Sequence, residues 1–125
     1  MHDNLNGHSL QHESWRYILS VVEDETIFFK TKLTRILAND LEKSHLSDLE
    51  IFQHRFLKMD ERVALLRHEV KELQEIIEQR SPAAAPSQAN VSLLQQGVTV
   101  KIEQLQQSFN ELAADFSKYL RESFT

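Results

Sequence analysis

Apolar residues recur along this chain at alternating steps of four and three. The first seam runs Trp15, Leu19, Val22, Thr26, Phe29, Leu33 and Ile36. Such steps place all seven positions on one stripe of an α-helix. A second seam runs Leu49, Phe52, Phe56, Met59, Val63, Leu66, Val70, Leu73 and Ile77 without a miss. The third runs Val98, Ile102, Leu105, Phe109, Leu112, Phe116 and Tyr119. Upstream of it, Val91 and Leu94 are apolar but fall out of strict phase, so the start of the third helix is the part the pattern defines least.

The breaks between seams agree with three helices. Ser47-Asp48-Leu49-Glu50 has the form of a capping box, in which Ser47 and Glu50 satisfy orphan amides reciprocally, so the second helix is expected to start there. Ser81-Pro82-Ala83-Ala84-Ala85-Pro86-Ser87 reads as a linker. Each proline lacks an amide donor and disfavours helix in the residue before it. The expected helices span 9–42, 47–80 and 88–123, each roughly 50 Å long at the α-helical rise. Residues 1–8 are expected as a flexible terminus and 81–87 as the Pro/Ala linker. Similar lengths and short connections predict one all-α domain over 1–125, an up-down-up bundle with coiled-coil-like packing. Each helix then has two neighbours and needs more than a bare seam. Ile18, Leu37, Ile76, Ala113 and Leu120 flank the seams and are expected to widen them.

Composition supports few, long elements. The chain has 125 residues with only two glycines and two prolines, too few turn residues for a sheet protein. It has no cysteine, which excludes disulfides, thiolate zinc sites and cysteine nucleophiles. No segment approaches the roughly 18 apolar residues that span a bilayer, and Met1 to Ser9 lacks a secretory pattern, so the cytoplasm is the expected location. Net charge is −5, with Lys and Arg mixed among acids. Nucleic-acid binding is disfavoured, because a phosphate backbone calls for a clustered basic face. A partial basic strip at Arg55, Lys58, Arg62 and Lys71 is weakened by Asp60, Glu61, Glu69 and Glu72. It leaves weak membrane-surface or nucleic-acid association as a minor alternative.

Candidate chemistry is sparse. His8 and His12 stand four apart and could share a metal, with Glu75 or Glu78 as further ligands; the competing reading is two exposed histidines on a fraying terminus. His54 and His68 are about 20 Å apart along their helix and cannot share a ligand. Glu42-Lys43-Ser44-His45 matches a di-iron Glu-x-x-His spacing once, where two copies are needed. Glu23-Asp24-Glu25 point in different directions and read as a solvated face. No nucleophile elbow and no glycine-rich phosphate loop is present. A non-enzymatic protein without cofactor is therefore expected, with metal or small-ligand binding as the alternative.

A second apolar stripe changes the picture more. Tyr17, Val21 and Phe28 lie largely away from the first seam, and Ile51 and Leu65 do likewise on the second helix. They are either scattered surface hydrophobes or an interaction surface for a homodimer or a protein partner.

Three stretches carry a resemblance: His12-Glu13-Ser14-Trp15 with Glu25, then Phe52-Gln53-His54-Arg55-Phe56, then Leu66-Arg67-His68-Glu69-Val70-Lys71-Glu72. Together they resemble a set of short, uncharacterised bacterial helical proteins, over the first two helices only. The resemblance implies a bacterial, intracellular helical protein and transfers no site.

Overall fold

The computed structural model describes the backbone of residues 2–39, 43–78 and 88–124, and the side chains of 11–39, 45–78 and 90–124. Three helices follow in order: α1 (His2–Asn39), α2 (Lys43–Glu78) and α3 (Gln88–Ser123). They pack on one another as an all-α three-helix bundle. The expected linker at 81–87 and the expected end of helix 1 at 40–42 lie outside the described residues.

Labelling the seam positions a and d makes the architecture legible. Positions a include Leu19 and Thr26 on α1, Leu49 and Phe56 on α2, and Ile102 and Phe109 on α3. Every buried residue among those described stands at an a or a d position. The period of apolar residues thus decides burial throughout. At the centre, the Phe29 ring stacks on Phe56 at 5.8 Å between centroids and meets Phe116 edge-on at 5.9 Å. Phe52 and Tyr119 extend the same aromatic layer. Phe56, Phe116, Leu19, Leu49 and Leu105 are wholly buried, each contributing about 1.5–3 kcal/mol of transfer free energy.

Polar contacts between helices show their directions. Lys30 of α1 pairs with Asp60 of α2, and Glu23 accepts from Arg67 Nε at 3.2 Å. Going seven residues back on α1 (30 to 23) goes seven forward on α2 (60 to 67), so the two run antiparallel. Arg55 pairs with Asp115 at 2.9 Å and Glu69 with Lys101 at 3.0 Å, which makes α2 and α3 antiparallel by the same reasoning. Gln11 donates to Thr99 Oγ1 at 3.4 Å, joining the starts of α1 and α3, which run parallel. These residues occupy e positions at the α1–α2 seam, g positions at the α2–α3 seam, and g with e at the α1–α3 seam. Those are the positions that flank an a/d core. The outward face of each helix is consequently b, c and f.

Four expectations are corrected. First, α1 takes in residues 2–8, expected to be flexible. No proline interrupts them, and extending an existing helix costs far less than nucleating one. Second, α2 starts at Lys43, so Ser47 lies inside it, exposed, and does not cap its start. Residues 43–46 hold no breaker, and His45 packs its ring on Phe124 at 4.7 Å, which draws the extra turn onto α3. Third, the seam of α3 does not slip: Val91 is fully buried in phase and Gln95 fills the next position, leaving Leu94 outside. Fourth, Ile76 does not widen the core and is 40% exposed. Ile18, Leu37, Ala113 and Leu120 do pack against it.

Candidate interaction surface

Tyr17 falls at an f position of α1, and Val21 and Phe28 at c positions. Both sites point outward, and the aromatic pair is exposed accordingly: Tyr17 by 71% and Phe28 by 62%. Val21 is half-buried between them. Phe28 is held in place from below, its ring edge-on to Phe29 at 5.6 Å. Ile27 beside it is half exposed, adding apolar area on the same outward side.

Ile51 and Leu65 occupy c positions of α2 and are also exposed. The c positions of α1 and α2 lie on the flanks opposite the e positions through which these helices meet. The two stripes are therefore not joined across the α1–α2 seam. The expected surface divides into one strip beside the α1–α3 seam and another beside the α2–α3 seam. A third apolar set escaped the sequence reading: Leu93, Leu94 and Val100 of α3 are exposed. Their f and g offsets from the seam would have found them, had the seam been carried upstream of Val98 in phase.

The other candidate sites take different forms. His12 occupies an a position, is buried, and stacks on Trp15 at 4.8 Å. It is packed with the core, which overturns the exposed reading for His12; the side chain of His8, with which it could have shared a metal, lies outside the described residues. Among the described residues no group of three His, Asp or Glu converges as a metal would require. His54 and His68 are exposed, His68 bonding Glu72 at 2.8 Å within one turn. Glu23 is not simply solvated but engaged by Arg67, which also donates to Ser20. Of the Glu42–His45 spacing, only the His45 side chain is described.

The basic strip on α2 is partly neutralised. Arg55 holds Asp115 and lies 5.5 Å over the Phe52 ring, and Lys58 pairs with Glu61 at 3.6 Å. No described helix is long and apolar enough to cross a membrane. Compared with family models, curated proteins and solved structures, the chain matches none of them.

Proposed function

We propose that this protein is a non-enzymatic, cytoplasmic interaction bundle that presents the α1 strip of Tyr17, Val21 and Phe28 to a protein partner. The observation that carries the reading is the outward placement of two large aromatic rings, Tyr17 and Phe28, one heptad and a half apart on one side of α1. Rigid aromatic side chains on regular structure supply large contact area at little entropic cost, and tyrosine is enriched where binding energy concentrates. Coiled-coil-like packing behind the strip gives it a stiff support. The proposed kinship to short bacterial helical proteins rests on the His-Glu-Ser-Trp and Phe-Gln-His-Arg-Phe stretches and adds no activity.

The test is affinity capture of the tagged chain from its native cells, against a Val21→Ser, Phe28→Ser double variant. Circular dichroism first checks that the variant keeps its helicity. A stoichiometric partner captured by the parent and lost in the folded variant supports the reading. An unfolded variant would place the strip in the core, and an unchanged set of captured proteins would remove it as a docking face.

A further inference from the structure

Gly97 sits inside α3, nine residues after Gln88, where glycine weakens a helix more than any residue except proline. Nothing inside the bundle accounts for it. A Cβ built at Gly97 meets no atom within 4 Å. The residue is at a c position, exposed, and borders a hollow of about 400 Å³ between α2 and α3, lined by Leu73, Ile76, Leu94 and Val98 and also by Glu72 and the paired Glu69 and Lys101. Two apolar knobs flank it on the same outward face: Leu93, 65% exposed, and Val100, 50% exposed.

The chemistry of that face bears on what would cover it. The exposed c and f positions from 90 to 107 are Asn90, Leu93, Gly97, Val100, Gln104 and Gln107, and none is charged; the charged Glu103 stands beside this strip at an outward b position. Loss of charge is the compositional mark of an interface centre. It matters more here because the chain carries a net charge of −5, and a contact centred on uncharged positions adds nothing to the net repulsion between two copies. An amide also both donates and accepts, so asparagine and glutamine can pair with their own kind, as carboxylates and ammonium groups cannot. A two-fold contact requires knob and gap on one surface, and this face holds both.

We propose that the occupant is a second copy of this chain, with α3 antiparallel to α3 about a two-fold axis midway between Gly97 and Val100. Val100 of each copy then fills the gap over Gly97 of the other. Leu93 lies along the stem of Gln104, and Asn90 meets Gln107, each twice. Gly97 is the point of closest approach. This contact is independent of the α1 strip, which stays free in the dimer for a different partner.

Sedimentation velocity over a concentration series tests the proposal. The parent chain is expected to dimerise. Val100→Lys, which sets a like charge beside the axis at an already exposed position, is expected to be monomeric at the same concentrations with unchanged helicity. The Val21→Ser, Phe28→Ser variant is expected to dimerise as the parent does. Because the chain has no cysteine, register can be read from an equal mixture of Gly97→Cys and Val100→Cys proteins under oxidation. Cross-linked heterodimer in excess of either homodimer is expected. A parent that stays monomeric up to about 1 mM, a dimer indifferent to Val100→Lys or lost in the α1 variant, or homodimer cross-links in excess would each overturn it.

Discussion

Lys30 on α1 bonds Asp60 on α2, and one heptad along, Glu23 and Arg67 repeat the pair with the signs exchanged. The exchange matters more than either bond. Sliding α2 by one heptad relative to α1 would set Lys30 against Arg67 in one direction and Glu23 against Asp60 in the other. Both slips bring like charges together at partly buried positions. The apolar seam of α2 is continuous over nine positions and could pack in neighbouring registers, so the sign pattern excludes alternatives the core would tolerate.

Exchanging the Lys30–Asp60 pair tests that role. Asp60→Lys alone is expected to lower stability by about 0.5–1 kcal/mol, since a half-exposed pair is worth little and the like charge adds repulsion. Lys30→Asp combined with Asp60→Lys restores the attraction and is expected to recover most of that loss. Denaturant unfolding of the four proteins of the cycle gives the coupling. A double variant no more stable than the sum of the singles would show that the pair does not act.

Phe56 is wholly buried and touches Phe29 and Phe116 with its ring, and Leu66 stands ten residues on in the same seam. Truncating either to alanine leaves a cavity that straight helices cannot easily close. The expected loss is about 3–5 kcal/mol for Phe56→Ala and about 2–5 kcal/mol for Leu66→Ala. Losses below half these values at both sites would mean that the seam is not packed as described.

What was legible in the sequence was whatever the heptad period alone decides. Phe56, Leu66 and Ile102 are buried because helical spacing puts them on the inner stripe, and no distant residue is needed to know it. The failures share a different cause. His12 and Gln95 occupy seam positions but are polar, so an apolar pattern passes over them. The capping box at Ser47 is a real local signal that the ring contact between His45 and Phe124, 79 positions away (45 to 124), overrides. Which flank of each helix meets which neighbour shows in pairs such as Lys30–Asp60 and Arg55–Asp115, and that arrangement separates the Tyr17 strip from Ile51 and Leu65. No stretch of one helix contains that information.

Ser47→Ala distinguishes the two starts of α2 directly. Were Ser47 an N-cap, its removal would cost about 1 kcal/mol. Inside a helix and exposed, it is replaced by the best helix former, and the change is expected to be neutral or stabilising by a few tenths of a kcal/mol. A thermal melt of the two proteins decides, and a clear loss of stability would return the helix start to Ser47.

Thr26 is fully buried at an a position, where its Oγ1 donates to the Val22 carbonyl oxygen at 2.7 Å. The hydroxyl meets its own helix rather than a neighbour, so it adds nothing to the pairing of helices. The carbonyl it reaches is one turn back, at the i−4 position that the Thr26 amide itself bonds in a regular helix. Thr26→Val keeps the branched shape, removes donor and demand together, and is expected to change stability by less than about 1 kcal/mol, in the stabilising direction. Thr26→Ser keeps the hydroxyl but deletes the buried methyl, and is expected to cost about 1 kcal/mol. Chemical unfolding of the three proteins should rank them valine, threonine, serine. The reverse rank would mean that the Thr26 hydroxyl, and not its methyl, is what the core requires.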